Sequence, residues 1–265
     1  VDTYFDVYFD TSTGEPTPPA QDATPPSIVV TSPSNGSIVP SPVVVKWEGS
    51  DNVGIDHYEI RVRYPNGTWS AWTDVDLHTE YSLDLSDGAH AVEVKAVDYA
   101  ANENVSLVEF VVDNTAPRVT ITSPEEGVVL SSPDVVISWT YEEENLDHFE
   151  VHVDPLDISE NVGQSTQWTF TANASGSYSV TVTAYDLAGN VGEASVSFYV
   201  DIAPPSLVIL QPTNGSITGS LVEVAWEATD DLGVDHYEIR VDGGSWVDVG
   251  SCLLYTSDAA TTERG

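Results

Sequence analysis

Hydrophobic and polar residues alternate along most of this chain in short runs that are separated by turn-forming residues. Residues 1–10 show the pattern clearly, because Val1, Phe5 and Phe9 fall on one face of an extended strand while aspartate and tyrosine occupy the other. Turn-forming residues, among them the pairs Asn35-Gly36, Asn66-Gly67 and Asp87-Gly88, interrupt such runs at intervals of roughly ten residues, and no segment shows the apolar period of an α-helix. The pattern therefore predicts antiparallel β-strands throughout.

The same order of strands and turns recurs with a period of about 90 residues. Each copy begins with proline, an alternating strand and a turn, at residues 25–39, 116–130 and 204–218. A tryptophan follows on the next predicted strand of each copy, at Trp47, Trp139 and Trp226. Six or seven short strands in a unit of this length are typical of a sandwich of two antiparallel sheets. The fold class predicted is all-β, a row of tandem sandwiches.

Three sets of residues resemble immunoglobulin-like and fibronectin type III-like repeats of prokaryotic cell-surface or secreted proteins. They are the strand B tryptophans, the strand C runs at residues 57–60 and 236–239, and the run Tyr178–Asn190, which is similar to a strand F and the loop after it. The acidic composition fits an archaeal source. The resemblance departs from antibody domains because the chain has a single cysteine, so the sheets would be held by their cores alone.

Residues at both ends of the chain depart from the repeat. Residues 5–10 match the last strand of repeats 1 and 2, at 108–113 and 196–201, and the third copy stops near Ser251 before its strands E, F and G. Residues 252–260 resemble a translated sequencing adaptor; the alternative is a genuine tail with Cys252 as a free thiol. The predicted domains are residues 1–10 (an orphan last strand of a lost preceding repeat), 11–24 (a proline-rich linker), 25–113 (repeat 1), 114–201 (repeat 2), 202–251 (a truncated repeat 3) and 252–265 (a non-native tail).

The formal net charge of −36, from 43 acidic and seven basic residues, limits the partners that this chain can have. Nucleic acid is excluded because its binding needs a basic face, and no apolar run is long enough to insert into a membrane. Such acidity is typical of a protein that functions at high salt concentration or of one that binds divalent cations. The alternative is that the acidic surface simply keeps the exposed repeats soluble.

Histidines are the only residues that invite a catalytic interpretation, and the repeat argues against it. His57, His148 and His236 occupy the same place in three units, whereas a catalytic centre is rarely copied into every unit of an array. Motifs for a serine or cysteine nucleophile, a zinc protease or a phosphate loop are absent from the sequence. The sequence therefore predicts no catalytic residue and no enzyme.

Acidic loops are the better candidates for chemistry. In a sandwich of this class the B–C and F–G loops lie at the end where the preceding domain arrives, so oxygen ligands from three segments would meet there. No cofactor is expected apart from Ca²⁺ at these inter-domain junctions, and the alternative is a set of solvated loops. The candidate ligands are Asp51, Asp98 and Asn102 in repeat 1, Asp113, Asn114, Glu143, Asn145, Asp147, Asp186 and Asn190 in repeat 2, and Asp201, Asp230, Asp231 and Asp235 in repeat 3.

Two surface features fit an extracellular location. Five Asn-x-Ser/Thr sequons are candidates for glycosylation, at Asn35, Asn66, Asn104, Asn173 and Asn214. Trp69, Trp72 and Trp168 would offer aromatic surface to a carbohydrate if they were not buried.

These observations favour a spacer or stalk of an extracellular or cell-surface protein, which presents a functional domain outside this segment. One alternative is a filament subunit that donates residues 1–10 to the sheet edge of a neighbouring copy. Another is an ancillary carbohydrate-binding module of a secreted hydrolase. The expected partners are other surface proteins, glycans or further copies of the chain.

Overall fold

A computed structural model of the protein describes residues 8, 9, 16, 17 and 22–258. The short strands β1 (Tyr8–Phe9) and β2 (Pro16–Thr17) pair antiparallel. The rest of the predicted orphan strand and linker, and the end of the predicted tail, lie outside the described residues. Within the described part of the chain no helix is long and apolar enough to cross a membrane.

Repeat 1 is a sandwich of two sheets, which confirms the predicted fold class. Its strands are β3 (Ser27–Ser32), β4 (Ile38–Val39), β5 (Val43–Ser50), β6 (Ile55–Arg63), β7 (Thr73–Asp74), β8 (Glu80–Leu83), β9 (Gly88–Asp98) and β10 (Glu103–Val112). One sheet has the order β3-β5-β8 and the other the order β4-β10-β9-β6-β7. All neighbouring strands are antiparallel except β4, which runs parallel to β10.

Repeat 2 has the same topology. Its strands are β11 (Arg118–Ser123), β12 (Val129–Leu130), β13 (Asp134–Glu142), β14 (Leu146–Asp154), β15 (Ile158–Gly163), β16 (Gln167–Thr171), β17 (Gly176–Asp186) and β18 (Val191–Val200). The sheets have the orders β11-β13-β16 and β12-β18-β17-β14-β15, so each strand corresponds to one of repeat 1.

The core of each complete repeat follows from the alternation along its strands. On β5 the side chains of Val43, Val45 and Trp47 are buried and those between them are exposed, because successive residues of a strand point to opposite faces. Trp47 packs edge-on against Tyr58 of β6 with ring centroids 5.8 Å apart, and Trp139 packs in the same way against Phe149. The tryptophans thus lie where the two sheets meet.

The corner between strands E and F, which are β8 and β9 in repeat 1 and β16 and β17 in repeat 2, is closed by a different side chain in each repeat. Tyr178 donates its hydroxyl proton to the carbonyl oxygen of Ala174 at 2.8 Å, which is the tyrosine corner of immunoglobulin-like domains. In repeat 1 the equivalent residue is His90, whose Nε2 lies 2.8 Å from the carbonyl oxygen of Ser86. A ring nitrogen therefore replaces the phenol in the same hydrogen bond, four residues upstream in both cases.

Repeat 3 forms two partial sheets. Its strands are β19 (Ser206–Gln211), β20 (Leu221–Thr229), β21 (Glu238–Ile239), β22 (Val247–Asp248) and β23 (Leu254–Asp258), in the orders β19-β20-β23 and β21-β22. Among the described residues no strand corresponds to β9 or β10. The hydrophobic side chains of Leu207, Ile209 and Ile217 are consequently more than half exposed, whereas Trp226 is buried.

Strand E of repeat 3, which the sequence analysis expects to be missing, has a counterpart in β23. Tyr255 pairs with Val224 on β20, just as Tyr81 pairs with Val45 in repeat 1. Main-chain hydrogen bonds and a few alternating side chains suffice for strand addition, so a segment without the sequence of the repeat can occupy this edge.

The chain divides into two compact units. The first comprises Val1–Arg118 with Glu143–Asp147 and Ala184–Gly192, and the second comprises Val119–Glu142, His148–Thr183 and Glu193–Gly265. The first unit therefore contains repeat 1 together with the B–C loop (143–145) and the F–G loop (187–190) of repeat 2.

Candidate metal centre and repeat junction

Three aspartates meet at the end of repeat 1 that faces the N-terminus. Asp22 lies on the segment that enters the repeat, Asp51 follows β5 and Asp98 ends β9. One carboxylate oxygen from each lies within 4.8 Å of the others, and this is the one such group of three acidic or metal-binding side chains among the described residues.

Asp98 is fixed by hydrogen bonds within its own loop. Its side chain is buried, with Oδ1 accepting from the backbone N–H groups of Ala100 and Asn102 at 2.8 Å and Oδ2 accepting from Asn102 Nδ2 at 2.7 Å. Desolvation raises the pKa of Asp98, but the hydrogen bonds from Asn102 and Ala100 outweigh it and hold the pKa below its ordinary value. Asp98 is therefore a preorganised carboxylate.

Asp51 and Asp22 each have one oxygen paired and one unpaired. Asp51 Oδ2 accepts from the N–H groups of Val53 (2.8 Å) and Gly54 (2.9 Å), and Asp22 Oδ1 accepts from the N–H of Thr24 at 3.1 Å. Asp51 Oδ1 and Asp22 Oδ2 have less than 1 Å² of accessible surface and, among the described residues, no hydrogen-bond partner.

A buried carboxylate oxygen without a donor is unfavourable, and two of them beside a third carboxylate add electrostatic repulsion. A hard cation would relieve both effects, because Ca²⁺ takes oxygen ligands at 2.3–2.6 Å from carboxylates, carbonyls and water. The sequence predicted Asp51, Asp98 and Asn102 together at this end but missed Asp22. The signal was available, since Asp22 precedes its repeat at the position that Asp113 and Asp201 take before theirs.

In repeat 2 the structure brings together four of the predicted ligands, Asp113, Asn145, Asp186 and Asn190. Asp113, at the end of repeat 1, accepts at Oδ2 from Asn145 Nδ2 (3.2 Å) and at its main-chain oxygen from Asn190 Nδ2 (3.0 Å). Asp186 is buried and accepts from the Asn190 N–H and Nδ2, both at 2.8 Å. The B–C and F–G loops are also joined directly, by the N–H of Leu187 and the carbonyl oxygen of Asn145 at 2.8 Å.

The remaining predicted ligands of repeat 2 point elsewhere. Glu143 accepts at Oε1 from the N–H groups of Glu144 (2.7 Å) and Asn145 (2.8 Å), and Asp147 is exposed. Asn114 turns back to repeat 1, where its Nδ2 donates to Asp87 Oδ1 at 2.7 Å.

Asp87 ties the linker to repeat 1. Its Oδ2 accepts from the Thr115 hydroxyl at 2.9 Å, and its Oδ1 accepts from the N–H of Asn114 at 2.9 Å. The hydrogen bond from the Thr115 side chain, followed by those from Asn114, holds the pKa of Asp87 below its ordinary value. At the end of repeat 2 the equivalent residue is Ser175, whose Oγ accepts from the N–H groups of Ile202 (2.9 Å) and Ala203 (3.0 Å).

The candidates of repeat 3 are not gathered into one site. Asp201 accepts from Ser175 Oγ at 3.4 Å, Asp230 accepts from the N–H of Leu232 at 3.1 Å, and Asp231 is exposed. Asp235 lies 2.9 Å from His236 Nδ1, and this hydrogen bond raises the pKa of His236. The described part of repeat 3 has no F–G loop, so the third segment of the predicted site is missing from it.

The tryptophans considered for carbohydrate binding are covered by other side chains. The Arg61 guanidinium lies 4.6 Å from the ring centre of Trp69 and 4.4 Å from that of Trp72, and Lys95 lies 4.8 Å from Trp72. Arg61 Nε donates to Glu93 Oε2 at 2.6 Å. In repeat 2, Trp168 stacks on Phe170 at 5.9 Å and donates its indole N–H to Glu160 at 3.2 Å.

Two family profiles match the chain. Residues 26–94 match the family described as "Bacterial Ig domain", and residues 131–202 match the family described as "Bacterial Ig-like domain". The two matches fall in repeats 1 and 2. A comparison of the sequence with curated proteins gave no match.

Solved structures of low similarity also align with the chain. The fibronectin(III)-like modules of Clostridium thermocellum CbhA are 17% identical, covering 66% of this chain and 94% of that one, with a TM-score of 0.45. A structure concerning a 1.5-MDa bacterial ice-binding adhesin is 16% identical, covering 89% and 87%, with a TM-score of 0.35. The strand order and the two family matches together show that the chain contains tandem Ig-like repeats.

Proposed function

We propose that this chain is a spacer in an extracellular or cell-surface protein and that it presents a functional domain outside the segment described. One observation supports this most strongly: only five residues, 113–117, separate β10 from β11, and the first three are held by side chains of folded repeats. Asp87 holds Asn114 and Thr115, and Asn145 and Asn190 hold Asp113. A short, tied linker limits bending between units, which a spacer requires.

The spacer proposal also states which partners the chain binds and that it is not an enzyme. The net charge of −36 disfavours nucleic acid as a partner, and other surface proteins are the partners expected of a spacer. Further copies of the chain or glycans are the partners that the filament and carbohydrate-binding alternatives predict. His57 lies 2.9 Å from the carboxylate of Asp56, as His236 does from Asp235, so these repeated histidines pair with neighbouring side chains and need no catalytic role. We expect no catalytic activity.

Sedimentation velocity and light scattering of the intact chain test the spacer against its alternatives. We expect a monomer near 28.5 kDa, at all accessible protein concentrations, with no retention on immobilised polysaccharides. Polymers that disappear when residues 1–10 are deleted would replace the spacer by the filament subunit. Retention on a polysaccharide would replace it by the carbohydrate-binding module.

We further propose that Asp22, Asp51 and Asp98 bind Ca²⁺ at the start of repeat 1. The support is the pair of buried, unpaired carboxylate oxygens that lie with Asp98 within 4.8 Å. Three carboxylates supply fewer oxygens than the six to eight that Ca²⁺ takes, so water and main-chain carbonyls would complete the shell. Bound there, the ion would order the segment that enters repeat 1.

Calcium is expected to raise the melting temperature of the intact chain by about 4–8 °C, which corresponds to about 1 kcal/mol for a domain of this size. Asp51→Asn should abolish the shift, because it removes a charge that faces the ion. The matched control is Asp56→Asn, since Asp56 lies outside the group of three and pairs with His57. An equal calcium shift in Asp51→Asn and the unmutated chain would refute the site, as would no shift in the unmutated chain.

Glycosylation is also proposed, at four of the five sequons. Asn35, Asn66, Asn173 and Asn214 are exposed, and within the described chain their Nδ2 atoms make no hydrogen bond, whereas Asn104 Nδ2 donates to the carbonyl oxygen of Pro26 at 2.9 Å. A glycan on Asn104 would break that bond. The intact mass of protein from a glycosylating prokaryotic host tests the proposal, and a mass equal to that of the bare chain would refute it.

A further inference from the structure

We propose that Asn145 takes the place of a cation at the junction of repeats 1 and 2, so that amide groups close this junction without metal. The inference rests on the proposed spacer function and concerns how one of its junctions is held. It makes Asn145 and Asn190 positioning residues for Asp113.

Every acceptor of Asp113 has a donor. Oδ1 accepts from the N–H of Thr115 at 3.0 Å, Oδ2 from Asn145 Nδ2 at 3.2 Å, and the main-chain oxygen from Asn190 Nδ2 at 3.0 Å. Asp113 is 8% exposed and Asp186 is 3% exposed, so these bonds are shielded from water. Each oxygen of Asp113 thus already has a hydrogen-bond donor, which is not true of Asp22 Oδ2.

The equivalent loops of repeat 1 lack an amide in the position of Asn145 Nδ2. Asn102 Nδ2 donates to the main-chain oxygen of Asp22 at 3.3 Å, the counterpart of the Asn190 bond. Asn52 Nδ2, however, donates to Asp22 Oδ1 at 3.3 Å, the oxygen that Thr24 already occupies. Asp22 Oδ2 therefore stays unpaired, whereas Asp113 Oδ2 is paired.

A cation at the second junction would have to displace these donors. Asn190 Nδ2 donates to Asp186 Oδ2 at 2.8 Å as well as to Asp113, so turning its amide would set an oxygen against two acceptors. Asn102 makes the same pair of bonds in repeat 1, so Asn145 is the donor that distinguishes the two sites. Asn145 is restrained too, because its N–H donates to Glu143 Oε1 at 2.8 Å. Inward-pointing N–H groups repel a cation, and leaving buried acceptors unpaired is costly.

The substitution Asn145→Asp tests the inference in the intact chain, with hydrogen–deuterium exchange of peptides from residues 114–201 as the readout. It sets a second carboxylate against Asp113, so in EDTA we expect a loss of protection of at least tenfold in the B–C and F–G loops, restored by millimolar Ca²⁺. The control Asn145→Ala removes the hydrogen bond without adding charge, and its smaller loss should not be restored by Ca²⁺. The unmutated loops should exchange equally in EDTA and Ca²⁺.

Three outcomes would overturn the inference: calcium protection of the unmutated loops, calcium rescue of Asn145→Ala, or full protection of Asn145→Asp in EDTA. All variants also carry Asp51→Asn, so an ion at repeat 1 cannot contribute to the result. If Asp22, Asp51 and Asp98 proved not to bind calcium, the exchange expected of the Asn145 variants would be the same. It would also be the same if the chain proved to form polymers or to bind a polysaccharide, which would refute the spacer. The two proposals therefore fail separately.

Discussion

Replacing Trp47 by alanine is expected to destabilise repeat 1 by about 3–5 kcal/mol, a large fraction of the stability of an ordinary domain. The side chain is 2% exposed and packs edge-on against Tyr58, so the substitution leaves a cavity between the two sheets. Repeat 1 has no disulfide to compensate, since Cys252 is the one cysteine of the chain. Differential scanning calorimetry should show the transition of repeat 1 lowered by more than about 12 °C.

Two further variants test whether the loss of stability comes from packing in the core. Trp47 Nε1 is buried without a hydrogen-bond acceptor in the described structure, as are the equivalent atoms of Trp139 and Trp226. Neither Trp47→Phe nor Trp47→Ala therefore breaks a hydrogen bond, and Trp47→Phe should cost much less because phenylalanine keeps much of the packing. Val44→Ala, on the exposed face of the same strand, should change stability by less than about 1 kcal/mol. A loss as large for Val44→Ala as for Trp47→Ala would contradict the two-sheet core.

Asp186→Ala is expected to destabilise repeat 2 by about 2–4 kcal/mol. Asp186 accepts from the Asn190 N–H and Nδ2, and Asn190 in turn donates to Asp113, so one truncation removes the anchor of the F–G loop. The buried donors of Asn190 would be left unpaired, which costs more than the loss of a surface hydrogen bond. Urea denaturation followed by the fluorescence of repeat 2 measures the change.

Glu193→Ala is the matched control, because Glu193 is an exposed acidic residue close to the same loop. It removes the same charge, so a general relief of repulsion in this acidic chain would appear in both variants. We expect Glu193→Ala to lie within about 0.5 kcal/mol of the unmutated chain. If Asp186→Ala were equally neutral, the F–G loop would not depend on its buried carboxylate.

The strands and the core were predictable because alternation is a local property of the sequence. Val43, Val45 and Trp47 already lie on one face in the sequence pattern, and a sheet buries that face. The gathering of Asp113, Asn145, Asp186 and Asn190 was predictable as well, since the topology of the sandwich brings those loops to one end.

The direction of the hydrogen bonds could not be predicted. Asn145 and Asn52 are amides on equivalent loops, yet one pairs with the free oxygen of its aspartate and the other with an oxygen already in use. An asparagine offers both a donor and an acceptor, and the tertiary arrangement alone decides which of them faces a carboxylate. The sequence predicted calcium ligands in all three repeats, and we propose a calcium site in repeat 1 only.

The strand at the edge of repeat 3 escaped prediction for a related reason. Leu254–Asp258 has no similarity to strand E of the other repeats, but it pairs with β20 through main-chain groups that every residue carries. Sequence similarity finds segments that share side chains, and strand addition needs few of them.

The central claim is that repeats 1 and 2 fold as separate sandwiches, as the proposed spacer requires, and single-molecule force spectroscopy tests it most directly. Each repeat of about 90 residues should release about 300 Å of chain when it unfolds, because an extended residue spans at most about 3.3–3.6 Å. The prediction is two separate events of that length when residues 25 and 201 are pulled apart. A single event of about twice that length would show one joint fold and contradict the account.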